Sequence, residues 1–327
     1  MDLQIIKKHL GRDWVAVTDM IGDVLNSDIA LLNSLNDSVL SNSGKQLRPV
    51  LSLLVARACS SEGKTEDASI RYAAASELLH NATLFHDDVA DGSDTRRGAP
   101  TINALMGPNV SVLVGDYWLV KAMNVILLSD SDIRAIRIFS KTLGDLAEGE
   151  MLQLQKSVSV DTDEQAYLRI IYSKTASLFE AACLSAAVSV GASEILEKAA
   201  SDYAVALGLA FQIKDDILDY SGDAMVGKPL GVDILEQKIT APLLCALDNV
   251  APEQQERIRG MVKEIPAHPE YREEIIAFVK ANNGVEGACR MLDVYIGKAV
   301  DALRPMPESF EKQCLTDLAH YVAIRNK

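Results

Sequence analysis

Between Pro108 and Pro229 the chain carries no proline. A proline inside a helix removes a backbone hydrogen bond, clashes with the preceding turn and costs about 3 kcal/mol. A gap this long therefore suits long helices, and Ala, Leu, Glu and Lys are abundant within it. Over residues 164–190, Leu168, Ile171, Ala176, Phe179, Ala182 and Cys183 recur near helical spacing, which predicts a long buried helix or a helix pair. No convincing strand-turn-strand pattern is present, and no glycine-rich nucleotide loop follows a strand. The expected fold class is all-α. Residues 60–67 and 266–269 read as loops. Without a linker or low-complexity tract, residues 1–327 are expected to form one domain.

The 327 residues carry a net charge of −14. That argues against nucleic acid as a partner and against an electrostatic footprint on an anionic membrane. A phosphorylated substrate remains open, since it needs only a few local cations or metal ions held by carboxylates. Cys59, Cys183, Cys245, Cys289 and Cys314 form no Cys-x-x-Cys pair and are odd in number, which suits reduced thiols in a cytoplasmic protein. The N-terminus lacks the apolar core of a signal peptide, and no run of about 20 apolar residues predicts an integral membrane segment.

One pattern occurs twice. Asp87, Asp88 and Asp91 form Asp-Asp-x-x-Asp, and so do Asp215, Asp216 and Asp219. On a helix Asp87 and Asp91 lie within about 40° of one another, so both can serve one hard cation or adjacent ones. Oxygen ligands suit Mg²⁺, which takes one or two carboxylates, several waters and substrate phosphates. Asp88 points elsewhere and could act by supporting the ligands. A lone cluster of this kind is more often a solvated acidic helix end. Here Ala82, Leu84 and Phe85 precede the first motif and Ala210, Phe211 and Ile213 the second, a placement that suits a polar head with an apolar tail.

Cations surround these motifs in sequence: Lys45 and Arg48, Arg96 and Arg97, Lys174 beside Thr175, and Lys228. Each alone would pass for a surface group. Together they suggest two diphosphate sites, one reached through metal ions and one gripped directly, where arginine offers a bidentate fork. His80 lies two turns before Asp87 on nearly the same face; it reads equally as a phosphate donor and as a core histidine. His86 reads as structural.

The segments GKQLRP, HDDVADGSDTRRGAPT, GDYW, AEGE, SKTASLF, FQIKDDILDYSGD and GKPLGVDILEQKITAP, in that order, resemble the trans-type polyprenyl diphosphate synthases. The likeness extends over residues 44–327 and is nearest the octaprenyl type. It implies a bundle of long antiparallel helices around a central apolar cavity, the isoprenoid synthase fold. It implies that Asp87 and Asp91 hold two Mg²⁺ ions on an allylic diphosphate and that Asp215 holds a third, with Asp219 helping through water. Asp88 and Asp216 would stand behind them. Arg96, Lys174 and Lys228 would grip the allylic diphosphate, and Lys45, Arg48, His80 and Arg97 would bind isopentenyl diphosphate. Thr175 and Gln212 would steady the allylic cation. A homodimer is implied, with peripheral contact to a membrane for product release and quinone side chains as the product's use.

In short-chain members a bulky aromatic blocks growth just before the first motif. Ala82 and Thr83 stand at that level, so the resemblance implies a product of about C40. Phe139, with Met123 and Ile126, is the expected floor. Three other readings compete: an HD-type phosphohydrolase built on His86-Asp87, a terpene cyclase, and a non-catalytic partner subunit. The first leaves the second motif unexplained, the second leaves Lys45, Arg48 and Arg97 without use, and the third expects lost aspartates.

Overall fold

The computed structural model describes residues 3–42, 44–128, 133–221 and 230–325. In chain order the helices are α1 (Leu3–Leu10), α2 (Arg12–Leu25), α3 (Ala30–Ser41), α4 (Leu47–Cys59), α5 (Asp67–Ala90), α6 (Ile102–Met106), α7 (Pro108–Leu127), α8 (Ile133–Ser159), α9 (Glu164–Ile171), α10 (Ser177–Ser189), α11 (Glu194–Ser221), α12 (Val232–Leu235), α13 (Ala241–Asp248), α14 (Pro252–Glu264), α15 (Tyr271–Ala281), α16 (Gly284–Ala302) and α17 (Phe310–Ile324). A π-turn, Tyr172–Ala176, joins α9 to α10. The predicted helical stretch over residues 164–190 is thus continuous but widened at one point.

The chain divides into two compact units, each assembled from separate segments. The first comprises Met1–Ser140, Ala181–Ser201 and Pro305–Leu315; the second comprises Lys141–Glu180, Asp202–Arg304 and Thr316–Lys327.

In the first unit α5 packs against α2, α4, α6 and α7. It starts from a reciprocal cap between Glu66 and Ser69, which satisfies two otherwise orphaned amides. Ala73, Ala74, Ala75 and Ser76 are wholly buried, so α5 is enclosed on all sides at that level. The partner α7 meets it closely: Ser111 Oγ donates to the Phe85 carbonyl at 2.9 Å, and Trp118 stands edge-on to Phe85 with centroids 5.4 Å apart. The Trp118 indole N–H donates to Asn36 Oδ1 on α3 at 2.9 Å, so the largest buried ring leaves no polar atom stranded. By length and composition α7 is apolar enough to cross a membrane, a property the sequence reading did not register because Asp116 and Lys121 interrupt the run.

The all-α expectation holds with one exception. β1 (Thr95–Arg96) and β2 (Ala99–Pro100) form an antiparallel hairpin. Strands of two residues are too short to show alternation. The turn residues Arg97 and Gly98 both have positive φ, 53° and 78°, as a tight two-residue hairpin turn requires.

In the second unit α13 packs against α16 at glycines. A Cβ on Gly284 would lie 2.3 Å from the Pro242 carbonyl oxygen, and one on Gly287 2.6 Å from Cys245 Cβ. Gly297 on the same helix has nothing within 4 Å of that position. Gly284→Ala should therefore destabilise the protein by about 1–3 kcal/mol through overpacking. Gly297→Ala should be neutral or stabilise by up to about 1 kcal/mol, since alanine is the better helix former. Chemical denaturation of the two variants beside the parent checks both.

Candidate active site

The first unit brings together the motif at the C-terminal end of α5, the hairpin and the segment leading into α4. Asp87 is half-buried and Asp91, the residue that ends α5, is exposed. The Asp91 amide donates to the Asp87 carbonyl at 2.8 Å, keeping them one turn apart. Asp88 turns inward; its side chain is only 4% exposed and accepts from Arg96 Nε at 2.8 Å. Burial pushes the Asp88 carboxyl up and the Arg96 guanidinium opposes that shift. One motif thus separates into an inward carboxylate tied to the hairpin and outward carboxylates at the helix end.

The neighbouring Arg97 lies in the left-handed region at the hairpin turn and donates from Nη1 to the Asn42 carbonyl at 3.1 Å. Gly44, with φ of 69°, lets this guanidinium approach closely, since a Cβ there would sit 2.6 Å from its Cζ. Lys45 is exposed and Arg48 is half-buried at the first turn of α4. Burial lowers the Arg48 pKa to about 10; the Glu77 charge opposes this and the Arg97 charge adds to it. Burial also holds His80 well below the usual imidazole range, and the charges of Arg48, Arg97 and Arg96 press it further down. His80 is therefore a neutral imidazole among three arginines. His86 instead lies against Gly115 on α7 and faces Asp116 at 3.3 Å, a packing role.

Glu77 was not singled out from sequence. It is 3% exposed, and burial raises its pKa against the pull of Arg48, Arg97, Asn81 and Lys7. Its place three residues before His80 was the available signal, because residues so spaced share a helix face.

Further down α5, Ala82 is fully buried and Thr83 is half-buried, its hydroxyl donating to the His80 carbonyl at 2.9 Å. Ile126 is buried and Met123 half-buried on α7, and Phe139 is fully buried against Tyr72 with centroids 6.2 Å apart.

The second unit builds its own cluster on the π-turn and α11. A π-turn exposes backbone irregularly and recurs at functional sites. Here two glycines flank it: a Cβ on Gly149 of α8 would lie 2.6 Å from Ser173 Cβ, and one on Gly208 of α11 would lie 2.5 Å from Ala176 Cα. The turn carries Lys174, paired with Glu150 at 2.8 Å, and Thr175. Thr175 donates to Gln212 Oε1 at 2.9 Å, Gln212 Nε2 donates to Asp216 Oδ1 at 3.0 Å, and Tyr167 donates to Asp216 Oδ2 at 2.6 Å. This chain fixes the Gln212 amide: with its nitrogen on Asp216, its oxygen must face Thr175. Burial pushes Asp216 up to about 6, while its hydrogen bonds from Tyr167 and Gln212 act the other way.

Asp215 accepts from Arg325 at 2.7 Å. Asp219 sits on the first amides of α12, accepting from Val232 at 3.1 Å and Asp233 at 3.3 Å. A cavity of about 150 Å³ is lined by Lys156, Lys174, Lys238, Gln212, Asp216 and Tyr167, among others. Lys238 belongs to a quoted segment but was given no role in the sequence reading. Lys228 lies outside the described residues.

Do these residues suit a divalent cation? The donors are carboxylate oxygens, presented in ones and twos; among the described residues no group of three or more His, Cys, Asp or Glu could hold a metal by itself. That donor set fits a hard cation that completes its shell with water and substrate phosphate.

A chain of packed helices with two such motifs and clustered Lys and Arg is a prenyltransferase of the isoprenoid synthase fold. It belongs to the polyprenyl synthetase family, whose model matches residues 29–279. It is 37% identical, over the full length of both chains, to octaprenyl diphosphate synthase of Escherichia coli (strain K12). A decaprenyl diphosphate synthase from Rhodobacter capsulatus has a TM-score of 0.90 and 34% identity, each chain covered completely. A polyprenyl synthase from Caulobacter crescentus CB15, complexed with calcium and isoprenyl diphosphate, has a TM-score of 0.88 and 33% identity, with 100% of this chain and 98% of that one covered. The protein is a polyprenyl diphosphate synthase that makes long-chain products, and the phosphohydrolase and cyclase readings fall away.

If the flanking glycines set the π-turn, Gly208→Ala should lower the prenyl-transfer kcat by about 10²-fold, the cost of an ångström-scale misplacement. The turn also carries Lys174, so the KM for the allylic substrate should rise, while the KM for isopentenyl diphosphate should change little. Gly144→Ala, where nothing lies within 4 Å of the added carbon, is the control. Steady-state kinetics with labelled substrate measures both.

Proposed function

We propose that the chain condenses isopentenyl diphosphate with an allylic diphosphate such as farnesyl diphosphate, and repeats the step to about C40. The observation that carries the site assignment is the gathering of Arg48, Arg96 and Arg97 around a neutral His80. A dianionic headgroup is the partner such a half-buried cationic nest needs. Lys45, Arg48, His80 and Arg97 take isopentenyl diphosphate in this reading, with Glu77 holding Arg48 in place.

The allylic diphosphate is held on the aspartate side, with Arg96, Lys174 and Lys228 as its direct cations. Asp87, Asp91 and Asp215, with Asp219 helping through water, would hold three Mg²⁺ ions, which would supply charge neutralisation of the leaving diphosphate. Asp88 and Asp216 orient their neighbours. Thr175 directs its proton to Gln212, so its oxygen lone pairs are left to face the allylic cation once the C–O bond ionises. The isopentenyl double bond then attacks, and the proton lost goes to the departing pyrophosphate. Apolar side chains exclude water from the cation.

Growth runs down α5 past Ala82 and Thr83, with Phe139, Met123 and Ile126 as floor. Residues 1–327 act as one domain, a reading supported by a family match that runs through segments of both compact units. The active species is a homodimer. Supporting this, Leu113, Val120 and Leu127 on α7 are 67%, 53% and 51% exposed at seven-residue intervals. A strip of that kind calls for a cover. The enzyme works in the cytoplasm, where its free cysteines stay reduced. It releases its product at a membrane surface to supply quinone side chains.

Incubation with labelled isopentenyl diphosphate, farnesyl diphosphate and Mg²⁺ should give a ladder ending near C40, abolished by EDTA, as sized by reverse-phase chromatography. A ladder ending at C20 would refute the length assignment. Phe139→Leu and Phe139→Ala should both shift the ladder to longer products; the alanine change also costs about 3–5 kcal/mol of stability, so the leucine variant reads chain length with the fold intact. The double change Leu113→Glu and Val120→Glu should halve the mass seen by light scattering.

A further inference from the structure

Arg325 was not singled out from sequence and has no role in the mechanism above. Its side chain is 4% exposed, whereas that of its partner Asp215 is 42% exposed. The guanidinium makes three contacts on a single turn of α11. It donates to Asp215 Oδ1 at 2.7 Å, donates to the Phe211 carbonyl at 2.9 Å, and lies over the Phe211 ring with Cζ 3.9 Å from the centroid. Residues 211 and 215 are one turn apart, so the planar fork clamps the backbone and the carboxylate of the same turn. The remaining face of the carboxylate stays accessible.

We infer that Arg325 is the resident countercharge of Asp215: a positioning residue that holds this carboxylate for a divalent cation and weakens its grip on that cation. This rests on the assignment of Asp215 as a metal ligand. The physical argument is one of competition. Asp215 adjoins Asp216 and lies one turn from Asp219, so its charge is repelled from both directions when no cation is present. The buried guanidinium neutralises it without occupying the open side. A cation arriving on that side meets a carboxylate already oriented but with part of its charge spent, which favours binding that can be reversed when pyrophosphate leaves.

The test titrates Mn²⁺ alone into the full chain and follows the free ion by electron paramagnetic resonance. D215N should lose one class of Mn²⁺ site; if it does not, the metal assignment itself is wrong, and this proposal falls with it. With D215N behaving as expected, R325Q should bind Mn²⁺ at that class about fivefold more tightly, the ceiling for a partly exposed ion pair. R325K, which keeps the charge, should stay within about twofold of the parent on the same reasoning. Unchanged or weaker Mn²⁺ binding by folded R325Q would overturn the inference while leaving the metal assignment standing. A second readout does not require R325Q to fold. Metal-free D215N should have a lower Tm than the parent, because it strands a buried guanidinium; a higher Tm, from simple relief of carboxylate repulsion, would equally overturn the inference.

Discussion

Adjacent aspartates on a helix cannot both face the same way, and the chemistry of this protein depends on where the second of each pair goes. Successive helical side chains diverge by about 100°. Asp88 and Asp216 accordingly turn into their own units, where each would be an unpaired buried charge without a donor. Each is given one: Arg96 for Asp88, and Tyr167 with Gln212 for Asp216. The supports are then put to use. Arg96 is brought to the motif by its bond to Asp88, and Gln212 is brought to Thr175 by its bond to Asp216. The inward aspartates organise the residues around the outward ones, so each Asp-Asp-x-x-Asp motif acts as a scaffold for the side chains beside it.

The backbone contributes in the same spirit. Arg97 takes up a left-handed conformation at the hairpin turn, and Gly44 keeps the space beside its guanidinium clear. Between α9 and α10 the helix widens into a π-turn between Gly149 and Gly208. In both places a cation-bearing segment departs from regular geometry where a neighbouring glycine has no side chain to offer. Larger residues at these glycines would push against backbone or guanidinium atoms that have little room to yield.

Much of this was legible in the sequence. The proline-free stretch forecast long helices, and the two aspartate motifs, each preceded by apolar residues in the sequence, do stand at the C-terminal ends of the long helices α5 and α11. Other features could not be read in the same way. The hairpin has too few residues for a periodic signal. The π-turn leaves no mark on hydrophobic spacing, because one widened turn shifts the pattern by less than its own scatter. Arg325 and Asp215 are separated by 110 positions, and pairing over that distance follows from tertiary packing alone. Glu77 sits within an otherwise small and apolar stretch that offers no periodic signal for a charge; its burial beside Arg48 and Arg97 follows from tertiary packing.

A net charge of −14 and anionic diphosphate substrates are reconciled locally. Long-range repulsion from exposed carboxylates is screened beyond about 8–10 Å in physiological salt. Arg48 and His80, by contrast, sit where water is scarce: burial is the main reason their pKa values fall, and the neighbouring arginines press His80 further down. An anion entering such a site would favour the protonated Arg48 guanidinium that burial disfavours. With the sign reversed, the carboxylate of Asp215, which adjoins Asp216, is met by the Arg325 guanidinium at 2.7 Å. In both places the local partner, not the net charge, decides what an ionisable group can tolerate.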